Sequence, residues 1–162
     1  MKIAIGCTRR GFVGKQEVVS FLRQRRHDVE DIGCSDVLKK VDPSELAISL
    51  TASMGRIQAD LAILVGRDGA GMCIAANKLR GLRAAVADDE LTAAFIRERY
   101  HCNVLCLGAE RHGRGEMNRI VASFLGACAA AGRDAHVVEE LMHVEICADA
   151  CAANCTSRFS QA

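Results

Sequence analysis

The residues best suited by type and spacing to do chemistry are Gly66-Arg67-Asp68-Gly69-Ala70-Gly71. This glycine-punctuated turn follows an apolar run, Leu61 to Val65, rich enough in Ile, Leu and Val to be a strand buried on both faces. A short helical pattern comes next, Met72 to Lys78, and a second apolar strand, Leu82 to Ala87, closes the stretch. The order is that of a βαβ unit with its Gly-rich loop at the carboxyl end of the first strand. In open parallel sheets, loop N–H groups and the next helix N-terminus present donors and partial positive charge in that crevice. The loop therefore suits an anion or an oxyanion. A tight strand-to-helix turn, with glycines serving backbone geometry alone, has the same sequence pattern.

The rest of the chain must position this loop, and its pattern is β-α repeated five times with short connectors. Lys2 to Gly6 is a first strand, and CTRRGFVGK is the loop at its carboxyl end. A helix from about Val13 to Arg26 carries Val18, Phe21 and Leu22 on one face, and His27 to Ile32 is a second strand. Asp42 and Ser44 are both suitable N-caps for a helix reaching Arg56. Asp88 and Asp89 cap a helix over Glu90 to Arg99, Asn103 to Gly108 is a fifth strand, and a helix follows from Met117 to Ala131. Gly132 stops it, and a last helix begins near Ala135. The expected fold is a single doubly wound sheet of five parallel strands with helices on both faces and right-handed crossovers. Residues 1–146 form the expected domain, and 147–162 a Cys- and Ala-rich tail.

Composition narrows the class. The chain has 162 residues, 50% hydrophobic and 25% charged, which suits one globular domain with a full core. A net charge of +1 gives no basis for a nucleic-acid or membrane surface, and no apolar run is long enough to span a bilayer. The opening MKIAIGCTRRG is a strand and not a secretory signal. Nine cysteines, odd in number and never spaced Cys-x-x-Cys, fit a reduced, cytoplasmic chain that uses thiols as small hydrophobes.

MKIAIG, the loop Gly69-Ala70-Gly71 followed by IAANK (Ile74 to Lys78), Gly81-Leu82-Arg83-Ala84-Ala85 and NVLCLGA (Asn103 to Ala109) together resemble the ribose-5-phosphate isomerase B family, which includes the subunits of galactose-6-phosphate isomerase. The resemblance covers roughly residues 1 to 140 in order and spacing. It implies a flavodoxin-like three-layer α/β/α sandwich, a homodimer or tetramer with the active site shared between subunits, and a phosphorylated sugar as substrate. It implies aldose–ketose isomerisation through an enediolate, with no cofactor and no metal. That reaction needs a base to move a proton, backbone donors for the enediolate oxygen, and cations for the phosphate.

The departures from the family pattern fall on its reactive positions. Where the family places a catalytic Cys after the third strand, this chain has Gly66, and where a subgroup places Glu, it has Met72. The Thr of Cys-Gly-Thr-Gly is Asp68, and the Asp-His of the first loop is Thr8-Arg9. The ring-opening His and the Asn after it are Arg99 and Tyr100, with His101 one step further. Of the phosphate motif, Gly132 and Arg133 match, whereas its His is Asp134 and its second Arg is Val137; the loop Arg before the fifth helix is Glu110. Candidate catalytic residues are accordingly Asp68, His101 and Cys73. Candidate substrate-binding residues are Arg9, Arg10, Arg67, Gly69, Ala70, Gly71, Arg99, Tyr100 and Arg133. Asp68 reads equally as a base on the loop and as a solvated acid paired with Arg67. Cys73 reads as a thiol of lowered pKa at a helix start or as a buried filler.

Three functions compete: an isomerase with rebuilt chemistry and slow ribose 5-phosphate turnover, a sugar-phosphate-binding subunit that lends a loop to a sister chain, and a scaffold. In the tail, His143, Cys147, Cys151 and Cys155 recur every four residues. Each such step on a helix advances about 6 Å and turns about 40°, so the four cannot meet one metal ion. Pairs could chelate with help from a neighbouring chain; an apolar stripe packing on a partner fits the pattern better.

Overall fold

The structure, a computed structural model, describes residues 1–36, 38, 41–56, 58–113, 115–127, 136–141 and 143–144. The chain divides into two compact units, Met1–Ala129 and Ala130–Ala162. In the second, residues 136–141 and 143–144 are helical, with His136, His143 and Val144 exposed. Arg133, Asp134 and the Cys147/Cys151/Cys155 stripe lie outside the described residues.

The first unit is the expected five-stranded, all-parallel sheet. Its strands are β1 (Lys2–Cys7), β2 (Asp28–Asp31), β3 (Leu61–Gly66), β4 (Ala84–Val86) and β5 (Val104–Gly108), in the order β2-β1-β3-β5-β4. The helices are α1 (Phe12–Gln24), α2 (Pro43–Arg56), α3 (Ala70–Ala76), α4 (Glu90–Tyr100) and α5 (Glu116–Gly126), with a 3-10 turn at Arg9–Gly11. Strand β3 is buried at every residue, as its continuous apolar run requires.

Side-chain alternation along the strands builds two cores. Ile3, Ile5, Ile63, Val65, Leu105 and Leu107 face one side and pack with Val18 and Leu22 of α1, Ala93 and Ile96 of α4, and Ile120 and Phe124 of α5. Ala4, Ala62, Leu64, Val104 and Cys106 face the other and meet Leu46 and Leu50 of α2 and Met72 and Ala76 of α3. The molecule is thus a three-layer α/β/α sandwich of the flavodoxin-like class.

The strands of the central βαβ unit are not neighbours. β5 pairs with β3 on one side and β4 on the other. β4 has three residues and is half-buried, which suits an edge; β5 is buried throughout, which suits the interior. Two side-chain amides fix the approach to this edge. Asn77 donates to the Ala84 carbonyl and accepts from the Ala84 amide, both at 2.8 Å. Asn103 accepts from the Arg83 amide at 2.8 Å and donates to the Gly81 carbonyl at 2.8 Å. The Asn of IAANK and the Asn of NVLCLG therefore act as structural clamps on β4.

Lys15 of α1 is fully buried, its Nζ 2.5 Å from Asp31 Oδ2 and 2.7 Å from the Cys34 carbonyl. The ion pair and hydrogen bond satisfy a charge that burial alone would heavily penalise. They also tie α1 to the end of β2, and so hold the loop that leads out of β1.

Candidate active site

Three loops converge at the carboxyl ends of the central strands, and backbone hydrogen bonds stitch them together. After β1, the Thr8 amide donates to the Val65 carbonyl at 3.2 Å. After β5, the Ala109 amide donates to the Gly66 carbonyl at 2.7 Å and the Glu110 amide to the Arg67 carbonyl at 3.1 Å. Gly11 packs so closely under this junction that a Cβ there would stand 2.0 Å from the Val65 carbonyl oxygen.

The loop after β3 turns at Gly69, whose φ of +80° is left-handed backbone that favours glycine. Asp68 Oδ1 accepts from the Ala70 amide at 3.0 Å, closing an Asx turn that starts α3 two residues earlier than its apolar pattern indicates. Thr8, Pro43 and the run Gly66 to Met72 enclose a cleft of about 250 Å³. The first-turn amides of α3 lie at this cleft, where helix geometry leaves N–H groups without intrahelical acceptors. Of the candidates named from sequence, Arg67, Asp68, Gly69, Ala70 and Gly71 line it together. Asp68 is the carboxylate among them, its side chain about half exposed (49%) and Oδ2 3.7 Å from Arg67 Nε.

Pro43, the chain's one proline, begins α2 and forms a wall of the cleft; sequence reasoning had no signal for it beyond its suitability for a first helical turn. Met72 forms the floor. A Cβ built on Gly66 would lie 2.7 Å from Met72 Cε and 3.6 Å from Thr8 Oγ1. The thioether methyl thus fills the space that a side chain at position 66 would claim.

The cations divide. Arg10 Nη1 pairs with Glu110 Oε1 at 2.8 Å across the rim, and Arg111 Nη2 pairs with Asp88 Oδ2 at 2.7 Å beyond β5. Arg9 is exposed on the 3-10 turn after β1 and makes no ion pair among the described residues. His112, almost wholly buried, turns Nε2 toward Asp88 Oδ1 at 3.6 Å. A larger groove, about 750 Å³, runs between α1 and α5 past Glu17 and Asn118, away from the cleft.

Arg99, Tyr100 and His101 stand elsewhere. They end α4 and precede β5, whereas the cleft follows β1 and β3. In a parallel sheet these are opposite ends of the strands, so one chain does not bring the three to the loop. His101 closes α4 at φ +50°, and its Nε2 is buried without a hydrogen-bond partner among the described residues. Tyr100 is 42% exposed and packs edge-on against the exposed Phe95, ring centroids 5.8 Å apart.

Cys73 is not among the residues lining the cleft. Its thiol donates to the Ala84 carbonyl at 3.3 Å, and Asn77 Nδ2 lies 3.6 Å from Sγ. Hydrogen bonding from the Cys106 thiol lowers the Cys73 pKa to about 7 against the effect of partial burial. Burial pushes Cys7 and Cys102 up to about 11. Because the thiolate is the nucleophile, iodoacetamide labelling of Cys73 is expected to rise steeply as pH increases through 7, while Cys7 and Cys102 stay unlabelled. Peptide mapping after timed alkylation checks this; equal labelling of the three at neutral pH would contradict it.

Residues 3–141 match the family model described as Ribose/Galactose Isomerase. The chain is 33% identical to ribose-5-phosphate isomerase B of Escherichia coli over 144 residues, covering 89% of this chain and 96% of that protein. A solved structure of Clostridium thermocellum ribose-5-phosphate isomerase B superposes with a TM-score of 0.85 at 32% identity, covering 90% of this chain and 97% of that one. The Mycoplasma genitalium ribose-5-phosphate isomerase B solved with bound ribulose-5-phosphate gives a TM-score of 0.82 at 30% identity, covering 89% and 95%.

Proposed function

Because the chain belongs to the ribose/galactose isomerase family, we propose that it is an aldose–ketose isomerase of a phosphorylated sugar, with Asp68 as the base. One observation carries the reading: a single cleft joins the Asp68 carboxylate to the Gly69–Gly71 backbone. In such a reaction a base takes the proton from the carbon beside the carbonyl and returns it to the former carbonyl carbon. The intermediate is an enediolate, whose oxygen is stabilised by N–H groups already oriented toward it. The Asx turn holds Asp68 at the loop, with Oδ1 committed to Ala70 and Oδ2 left facing outward beside Arg67. Arg67 lines the cleft as a cation for the phosphate, and Arg9 and Arg10 follow Thr8 on the neighbouring 3-10 turn, Arg9 with no acidic partner among the described residues.

Arg99, Tyr100 and His101 complete the site from a second copy of the chain. This agrees with the exposed Phe95–Tyr100 pair at the end of α4 and with the position of these residues at the end of the strands opposite the cleft. The chain works as a homodimer or a dimer of dimers on this reading. No helix among the described residues is long and apolar enough to cross a membrane.

A second reading, a weakly active or inactive partner subunit, is favoured by the methyl of Met72 in the space beside Gly66. The two are separated by assaying the purified chain with ribose 5-phosphate and with hexose phosphates, following ketose formation. Slow turnover that depends on Asp68 supports the isomerase; saturable binding without turnover supports the subunit. Gly66→Cys restores a thiol at the usual place in the family. The atom it displaces is the end of a flexible side chain, so Met72 can swing aside. The variant is expected to raise kcat/KM about tenfold or more, since a second positioned base shortens the proton's path. A folded variant with unchanged turnover would count against this assignment.

A further inference from the structure

The isomerisation proposed above moves protons in two ways, between carbons and between oxygens, and Asp68 accounts only for the first. Resting on that reading, we propose that the Thr8 hydroxyl performs the second, passing a proton between the two oxygens of the enediolate.

The walls of the cleft leave little choice. Among the residues that line it, Arg67 and Asp68 are charged, Thr8 carries a hydroxyl, and the others offer backbone, hydrocarbon or a thioether. A relay must give up one proton and take another. Backbone amides keep theirs, and a guanidinium cannot be deprotonated in a protein. Asp68 commits Oδ1 to the Ala70 amide, which leaves Oδ2 for the proton taken from carbon. A hydroxyl has one donor and two acceptor lone pairs, so Thr8 is the lining residue that can do both.

The fold also leaves that hydroxyl uncommitted. Thr8 is the N-cap of the 3-10 turn Arg9–Gly11, on extended backbone with φ −79° and ψ 168°. A threonine there ordinarily accepts a hydrogen bond through its side chain from a first-turn amide. Here the Gly11 amide donates to the Thr8 carbonyl at 2.9 Å, and the side chain makes no cap bond. The residue is pinned all the same, because its own amide donates to the Val65 carbonyl at 3.2 Å. Its Oγ1 lies 3.6 Å from where a Cβ on Gly66 would stand, beside the Met72 methyl at the floor. β1 and β3 are paired neighbours, so the loops carrying Thr8 and Asp68 leave the sheet side by side. A cleft of about 250 Å³ is at the small end for ligand sites, so an occupant touches its facing walls.

The steps balance without any other reactant. Asp68 takes the proton from C2, the C1–C2 double bond forms, and the carbonyl electron pair moves to O1. Thr8 gives its hydroxyl proton to O1 and takes the proton of O2 in its place. The O2 electron pair then forms the new carbonyl, and C1 takes the proton held by Asp68. The aldose has become the ketose, and both side chains are as they began.

The test follows two rates at once, by proton NMR of ribose 5-phosphate with the full chain in heavy water: ketose formation, and loss of the C2 proton signal to exchange. Thr8→Val removes the hydroxyl with little change of shape, and no side-chain cap bond is lost, so the urea midpoint is expected to stay at the wild-type value. Ketose formation is expected to fall about 10²-fold or more, the range for a positioned acid–base group, while exchange at C2 persists because Asp68 is intact. Thr8→Ser, which keeps a hydroxyl, is expected to recover most of the lost ketose formation. Wild-type ketose formation in Thr8→Val would overturn the proposal. So would a parallel fall of both rates, or a Thr8→Ser variant as slow as Thr8→Val. Exchange in Asp68→Asn as fast as in the wild-type chain is a different result: it removes Asp68 as the base, and the relay falls with it.

Discussion

Asp68→Asn is expected to lower kcat/KM for the preferred sugar phosphate by about 10²- to 10⁴-fold, the range over which a positioned general base contributes. The substitution is close to isosteric. The Asn side-chain oxygen still accepts from the Ala70 amide, so the Asx turn, the left-handed Gly69 and the start of α3 are retained. What is lost is the ability to take a proton. Binding is expected to change little, because Arg9, Arg10 and Arg67 remain and one negative charge is removed from beside Arg67. The loss therefore falls on kcat with KM nearly constant or lower. A coupled assay that shows ordinary turnover, undiminished in the variant, would mean that the proton moves through another group.

Gly11→Ala is expected to cost about 3 kcal/mol or more of stability, at or beyond the upper end for overpacked sites. The added Cβ would stand 2.0 Å from the Val65 carbonyl oxygen and 3.0 Å from the Gly66 amide nitrogen. Both are backbone atoms of a central strand, so neither can rotate away as a side-chain tip could. The strain lands where the loop after β1 meets the end of β3, whose Val65 carbonyl also accepts from Thr8. Urea unfolding reads the cost as a lowered midpoint with an unchanged slope. A midpoint within error of the wild-type chain would show that the junction yields and that the loop is not held as described. Gly66→Ala is the matching control. Its Cβ meets the movable Met72 Cε, and a much smaller loss is expected there.

Much of the architecture was legible because the strands are buried on both faces. Leu61 to Val65 and Asn103 to Gly108 read as strands from apolar runs, and they form β3 and β5 within a residue or so. Boundaries moved where side chains took over backbone groups. β4 begins at Ala84 and not Leu82, because Asn103 accepts the Arg83 amide and Asn77 brackets Ala84. α3 begins at Ala70 because Asp68 accepts its amide. Strand order was not legible: local periodicity carries no information on which strand sits at an edge, and β5 enters between β3 and β4 through burial and long-range pairing.

The cleft divides in the same way. Its backbone, Gly66 to Gly71, could be read from glycine spacing, since a tight turn after a buried strand constrains φ locally. The methyl of Met72 beside Gly66 could not, nor could the capture of Arg10 by Glu110 and of Arg111 by Asp88, because each depends on contacts between loops distant in sequence. Arg99, Tyr100 and His101 show why proximity in a motif is a weak guide. They lead into β5, and in a parallel sheet the residues entering the strands and those leaving them lie at opposite ends of the strands. The same holds for Cys73, whose sulfur meets the Ala84 carbonyl and does not line the cleft.

Solvent deuterium exchange into the sugar phosphate tests the central claim most directly. An enediolate held by the Gly69–Gly71 amides, with its proton on a half-exposed Asp68, will trade that proton with heavy water before collapsing. Proton NMR of ribose 5-phosphate incubated with the chain in heavy water is expected to show signal loss at the carbon beside the carbonyl, slowly for the wild-type protein and not at all for Asp68→Asn. Equal exchange in both proteins, or none in the wild-type chain when a titration shows the sugar phosphate bound, would contradict the account.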